Sequence, residues 1–420
     1  MKHLMQLAIL SAWNRRLTLG LTLVAIALSV ALLLGVERVR HDAREGFSQS
    51  VSSTDLVVGA RTSPVQLMLY AVFRIGEATN NMRWESFQAL AAQPLVAWAV
   101  PLSLGDSHRG FSVVGTTPEY FDRFRYGQAQ PLAFRTGRRF EQIFEVVIGA
   151  TVAERLGYVI GSSIVLNHGS GDVGLAEHSD KPFRVVGILE STGTPVDRSV
   201  HVGLAAIEAI HLDWQGGAPI PGMSIPPEFV SKFDLKPKTI TAALVGLKNR
   251  AAVFRVQRSI NEYSGEPLTA VLPGVALDQL WQVVGVAERA LLAVSAMVVA
   301  VGLAGLIAVI MAGLNERRRE LAILRSVGAR PGTVFALLSM EGLAVTVLGA
   351  LLGVVLLAAL TALLGPLASA RFGLAVEMRM IDPQELKLLG AVVGVGMLAC
   401  LIPGYRAYKL SLADGLTPRI

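Results

Sequence analysis

The chain has 420 residues, 52% of them hydrophobic and only 17% charged, with a net charge of +6 and a mean hydropathy of +0.51. Soluble domains usually carry roughly 25% charged residues, so this composition excludes an ordinary soluble protein and points to a membrane protein with room for two or three folded units. Between Glu37 and Asp278 there are 23 Lys and Arg against 24 Asp and Glu, and the remainder holds 15 basic against 8 acidic residues. The positive excess therefore flanks the apolar segments, which fits a positive-inside bias and excludes nucleic-acid binding as the purpose of the charge.

A short cytoplasmic N-terminus, residues 1–16, is expected to lead into a first transmembrane helix over 17–36. Leu17–Val36 is 20 residues without a charge, about 30 Å of helix and the thickness of a bilayer core. That run exceeds the roughly 7–15 apolar residues of a signal peptide, so it reads as an uncleaved span. Residues 37–280 form a large domain between the spans. A stalk and second span follow over 281–314, the uncharged part being Ala290–Leu314. A charged loop occupies 315–331, a third span 334–365, a short outer loop 366–387, a fourth span 388–405 and a tail 406–420. The fourth apolar run, Leu388–Ile402, is bounded by Pro383 and by Pro403-Gly404.

With four spans, Lys2, Arg15 and Arg16, the five arginines of the 315–331 loop, and Arg406, Lys409 and Arg419 all fall on one side. The positive-inside rule makes that side cytoplasmic, with both termini inside and the 37–280 domain outside. Glu341 lies about 10 Å into the third span. A carboxylate at that depth is costly unless paired or wet, so it is a functional candidate. Gly349 and Gly353, and Gly390 and Gly394, have the Gly-x-x-x-Gly spacing that permits close helix contact or a dimer face.

The outer domain reads as mixed α and β. DLVVGA (Asp55–Ala60), EVVIGA (Glu145–Ala150), PFRVVGIL (Pro182–Leu189) and ITAALVGL (Ile240–Leu247) are short β-branched runs bounded by turn residues. Asn249–Ser264 places Ala252, Val253, Val256 and Ile260 at helical spacing. Ile240–Leu272 thus reads strand, helix, strand, a βαβ-like unit. The seven histidines are His3, His41, His108, His168, His178, His201 and His211. None form the i,i+4 zinc pair and there is no Cys-x-x-Cys. His168 and His178 share a glycine-rich polar loop, whose default reading is a solvated loop without metal. The single cysteine, Cys400, excludes a disulfide within the chain. Neither a nucleophile elbow nor a Gly-x-x-x-x-Gly-Lys-Ser/Thr phosphate loop occurs, so no catalytic residue, metal ligand or cofactor is expected, and the chain cannot hydrolyse ATP by phosphate-loop chemistry.

NERRRELAILRSVGARP (Asn315–Pro331) packs five arginines and two glutamates between two apolar runs. Read as a helix from Asn315 to Val327, it has an apolar stripe of Leu321, Leu324 and Val327 or Gly328, broadened by Ala322, Ile323 and Ser326. Gly328 suits the helix end and Pro331 stops continuation. A helix lying on anionic lipid would explain the arginines but not Glu320 beside the stripe. The segment closely resembles the loop after the second span in FtsX/MacB-type ABC transporter permeases, the type VII family. FRVVGILESTGTPVDRSVHVGLAAIEAI (Phe183–Ile210) looks like that family's periplasmic core, and IPGYRAYKLSLADGLTP (Ile402–Pro418) resembles its tail, except that Leu412 stands where a proline is common.

The resemblance implies four transmembrane helices with a large extracytoplasmic α+β domain between the first and second. That domain would divide into a porter-like part, near Val51–Ser103 and Lys236–Leu272, and an inserted β-rich sabre-like part. It implies that Glu316, Arg319, Glu320, Leu321, Leu324, Arg325 and Gly328 form a coupling helix docking on a separate ATPase subunit. It further implies a permease homodimer in a bacterial inner membrane, in contact with membrane lipid. The work would be mechanotransmission: outer domains moving on a lipoprotein, peptide or amphipathic small molecule, possible partners being a periplasmic adaptor or lipoprotein. The alternatives are a regulator of a periplasmic partner such as a cell-wall hydrolase, a lipoprotein-releasing subunit, and a membrane-anchored sensor without an ATPase.

Overall fold

Among the described residues, four helices are long and apolar enough to cross a membrane: Arg16–Gln49, Pro273–Glu316, Pro331–Phe372 and Pro383–Lys409. The computed structural model describes residues 16–169, 176–215, 218–220, 225–316, 323, 325–326, 328–372 and 379–409. The chain divides into two compact units, residues 1–42 with 285–420, and residues 43–284. An α+β unit thus lies between the first and second spans, as the fold class requires.

Proline opens three of these helices, where its missing N–H is one of the unpaired donors of a first turn anyway. The helix of the fourth span continues through Pro403 to Lys409. Pro403 removes a backbone hydrogen bond, but Pro403, Gly404 and Ala407 are buried. A Cβ added at Gly404 would lie 2.9 Å from Ser339 Oγ and 3.0 Å from Phe335. Packing against the third span therefore carries the helix past the break.

Contact register fixes how the membrane helices run. Ser29 Oγ lies 3.3 Å from the Val298 carbonyl, and four residues earlier Ala25 faces Gly302. One step forward on the first span is a step back on the second, so they are antiparallel. Gly349 meets Ile26 and Gly353 meets Val30, so the first and third spans are parallel. Gly342 meets Cys400 and Thr346 meets Gly396, so the third and fourth are antiparallel. Arg16, Glu316, Pro331 and Lys409 consequently lie at one end of the bundle.

In the other unit, a four-stranded antiparallel sheet has the order Leu268–Val271, Leu56–Ala60, Ala242–Leu247, Val96–Leu102. Both faces are covered, which explains the unbroken apolar run at its centre. Leu56 and Val58 join Val256 and Ile260 of the helix Val253–Asn261 on one side. Val57 joins Leu67 and Met68 of the helix Pro64–Ala71 on the other. Ser63 caps that second helix by accepting from the Gln66 N–H. Residues 240–272 run strand, helix, strand as read, but the two strands are separated in the sheet. Ala242–Leu247 and Leu268–Val271 are not neighbours, because Leu56–Ala60 pairs with both and lies between them. The unit is a split βαβ whose central strand comes from almost 200 residues away along the chain.

Between Val96–Leu102 and Ala242–Leu247 the chain builds a second, mixed sheet. Nine described strands contribute, in the order Ser163–Ile164, Phe183–Leu189, Glu145–Ile148, Ser199–Gly203, Phe111–Thr116, Asp106–His108, Asn167–His168, Ala176–Glu177, with Phe134–Gly137 also pairing Phe183–Leu189. Its apolar core includes Val146, Ile148, Phe183, Val185, Val200 and Val202, packed with Val152 and Ile210 of flanking helices.

Candidate functional sites

The coupling segment is only partly described. Glu316 is the last residue of its helix. Arg319, Glu320, Leu321 and Leu324 lie outside the described residues, as does most of the apolar stripe. Arg325 is half-buried and Ile323 exposed. Gly328 donates its N–H to the Arg325 carbonyl at 3.1 Å and adopts φ +103°, a conformation suited to glycine at a helix end. Three residues on, Pro331 opens the third span.

Glu341 is half-buried, one residue before the close contact of Gly342 with Cys400. The glycines separate into two kinds. A Cβ added at Gly349 would lie 2.8 Å from Ile26, and one at Gly353 would lie 2.8 Å from both the Ala27 carbonyl and Val30. Those two glycines admit the first span of the same chain. Gly390 and Gly394 face open space within 4 Å. Leucine at Gly349 or Gly353 is therefore expected to cost about 1–3 kcal/mol by overpacking, read as loss of stability in detergent. Leucine at Gly390 or Gly394 should leave the isolated chain's stability unchanged. A stability loss at these two as well would reject the distinction.

Sequence reasoning missed a charge network at the opposite end of the bundle from Glu316. Arg38 Nε donates to Glu385 Oε1 at 2.9 Å and Arg38 Nη2 to Oε2 at 3.2 Å, with side chains 6% and 0% exposed. Arg379 reaches Asp42 at 3.1 Å, Asp382 at 3.3 Å and Glu385 at 3.7 Å. In the sequence Arg38 and Glu385 merely border apolar runs far apart along the chain. Only their mutual approach across 347 residues makes them a buried pair.

A second cluster lies in the 43–284 unit. Asp106 and His168 are cross-strand partners at the edge of the nine-stranded sheet. His211 ends the helix Leu204–His211, and His178 directly follows the strand Ala176–Glu177. Their donor atoms all lie within 4.8 Å of one another. His168 Nδ1 is 3.1 Å from Asp106 Oδ1 and 3.2 Å from His211 Nε2, which is itself 3.8 Å from Asp106 Oδ1. The Asp106 carboxylate pulls the His168 pKa up. Burial, with the neighbouring His211 ring, pushes His178 down to about 4. His178 is thus a neutral imidazole at physiological pH. His178 itself is not solvated: it is fully buried under Trp214, ring centroids 4.0 Å apart.

Comparison with known proteins gives two family matches, a MacB-like periplasmic core domain over residues 19–263 and an FtsX-like permease C-terminal domain over residues 292–412. A macrolide export ATP-binding/permease protein, MacB, of Nitrobacter winogradskyi is 22% identical over 411 residues, covering 94% of this chain and 57% of that protein. A lipoprotein-releasing system transmembrane protein, LolC, of Neisseria meningitidis is 23% identical over 349 residues, covering 78% of each. The chain thus spans little more than half the length of the MacB relatives it matches. The periplasmic region of MacB from Actinobacillus actinomycetemcomitans is structurally similar at a TM-score of 0.35 and 10% identity, over 55% of this chain and 94% of that one.

Proposed function

We propose that this chain, which belongs to the family of FtsX-like permeases with a MacB-like periplasmic core domain, is the non-catalytic membrane subunit of an ABC transporter. A separate ATPase subunit would bind and hydrolyse ATP, and the permease would work as a homodimer in a bacterial inner membrane, termini inside and the 43–284 unit outside. The observation that carries this reading is the register of the spans. It gathers Arg16, Glu316, Pro331 and Lys409 at one end of the bundle, so the points where the arginine-rich segment leaves and rejoins the spans lie together, where an ATPase could dock.

Force applied at Glu316, Arg319, Glu320, Leu321, Leu324, Arg325 and Gly328 would enter the second span. That helix runs unbroken from Pro273 to Glu316, 44 residues, or roughly 66 Å at 1.5 Å per residue. This is about twice the thickness of a bilayer core. Near its start Ala276 and Leu277 are buried in the core of the outer unit, and near its end Leu303, Leu306, Ile310 and Leu314 are buried among the spans. A continuous helix of that length would carry displacement from the coupling segment toward the outer unit, which is the mechanotransmission proposed. The substrate class this arrangement suits is extracytoplasmic or membrane-derived: a lipoprotein, a peptide or an amphipathic small molecule. A regulator of a periplasmic partner would use the same linkage.

The test uses the tagged full-length chain purified from its native membranes. ATP hydrolysis should co-purify with it, and Leu324→Asp should remove that activity while cysteine labelling still reports an inserted chain. Hydrolysis retained at the same level by Leu324→Asp would overturn the docking assignment.

A further inference from the structure

Asp106, His168, His178 and His211 are drawn from four separate elements, yet they converge on one point at the edge of the nine-stranded sheet. A tetrahedral ion with bonds of about 2.0–2.1 Å places its ligand atoms roughly 3.3–3.4 Å apart. The observed separations of 3.1, 3.2 and 3.8 Å bracket that edge length. Two bases and a carboxylate held so closely have few protons to share. His168 Nδ1 carries either one hydrogen or one lone pair, so it can make a good hydrogen bond with at most one of its two neighbours.

The surroundings select the ligand atoms. His211 Nδ1 donates to the Ile207 carbonyl one turn earlier, at 2.8 Å. That bond places the proton on Nδ1 and turns the Nε2 lone pair toward His168, the outer-shell arrangement that orients metal-bound imidazoles. His178 supplies an independent sign. It is fully buried, and neither ring nitrogen has a hydrogen-bond partner. An unmet buried polar group costs about 1–3 kcal/mol, which a bound cation beside it would remove. His201 is also buried with unpartnered ring nitrogens, but it packs against the rings of Tyr120 and Phe121, and among the described residues no other ligating side chain joins it. Only around His178 do the unpartnered nitrogens and the convergent ligands coincide among the described residues.

We propose that Asp106, His168, His178 and His211 form a four-ligand binding site for a divalent transition-metal ion of the zinc class. Three imidazoles and one carboxylate, without a thiolate, suit Zn²⁺ and its close relatives rather than Ca²⁺ or Mg²⁺, which take six or more oxygens or keep their waters. Four protein ligands fill a tetrahedral shell, so the site is closed and serves to bind. The ion would tie the Asp106–His108 and Asn167–His168 strands to the end of the Leu204–His211 helix and to the segment after Ala176–Glu177. This inference stands independently of the transport reading.

The experiment titrates Zn²⁺ alone into the full-length chain, purified in detergent after chelator treatment, by calorimetry. Co²⁺ absorption reports the geometry. One Zn²⁺ per chain is expected, with an intense tetrahedral Co²⁺ spectrum and a rise in melting temperature. His178→Phe keeps an aromatic ring under Trp214 and removes an unpartnered polar group, so the fold should persist while Zn²⁺ affinity falls at least ~100-fold, more than loss of an outer-shell partner costs. Asp106→Asn should weaken binding in the same direction. A chain that takes up no Zn²⁺, or one whose stoichiometric binding survives His178→Phe, overturns the proposal.

Discussion

Replacing Glu385 by alanine is expected to lower the stability of the membrane unit by about 3–5 kcal/mol, the range for removing one partner of a buried ion pair. The substitution leaves the Arg38 guanidinium, 6% exposed, without the carboxylate that engages it through two hydrogen bonds. Arg38→Ala should cost less, because Glu385 retains Arg379 at 3.7 Å and the Asp382 N–H at 3.4 Å. The pair itself need not be strongly favourable, since desolvation opposes the Coulomb attraction. The double variant Arg38→Met/Glu385→Leu should therefore recover most of the loss. Denaturant unfolding of the full-length chain in detergent measures all three. Equal stability of Glu385→Ala and the parent chain would show that the pair is solvated. The network joins the end of the first span to the start of the fourth, so it also guards the register on which the proposed force path depends.

What could be read in the sequence was whatever is local. Leu17–Val36 declares a span because twenty consecutive residues lack a charge, and Val256 and Ile260 declare a helix face because they recur at helical spacing. The run Leu56–Val58 declares a strand, but nothing in it says that its neighbours are Ala242–Leu247 and Leu268–Val271. Those pairings are set by tertiary burial, which is why the βαβ reading lacked its central strand. The same limit hid the close helix contacts. Gly342, Gly396 and Gly404 have no Gly-x-x-x-Gly partner spacing, yet they admit Cys400, Thr346 and Phe335 of a neighbouring helix. Pro403 bounds the fourth apolar run, yet packing carries the helix on to Lys409. The cluster of Asp106 with three histidines was legible only in its His168 and His178 half. Asp106 and His211 approach from 62 and 43 residues away from His168, a distance that spacing rules do not see.

Asp213→Ala is expected to destabilise the 43–284 unit by about 3 kcal/mol, toward the lower end for breaking a buried pair, and to weaken the proposed metal site with it. Lys181 is fully buried and donates to both Asp213 oxygens, at 2.7 and 2.8 Å. The same carboxylate accepts from the Ile225 N–H at 3.0 Å. Lys181 keeps Asp180 at 2.8 Å when Asp213 is removed, and Asp180 is 40% exposed, so the compensation is partial. The pair sits between the two ligand-bearing segments. Lys181 donates its N–H to the His178 carbonyl at 3.1 Å, and Asp213 lies two residues beyond His211. Cutting it frees His178 to move relative to His211, and a displacement of even 1 Å spoils tetrahedral geometry. Lys181→Met/Asp213→Leu separates the two effects. It should restore stability in thermal unfolding, because no charge is stranded, and calorimetry should still find Zn²⁺ bound more weakly than by the parent chain, because an apolar contact fixes distance less sharply than a charge-assisted hydrogen bond. If the double variant regained full affinity, packing alone would position the ligands; if Asp213→Ala unfolded no more readily than the parent, Lys181 would have to be solvated or neutral.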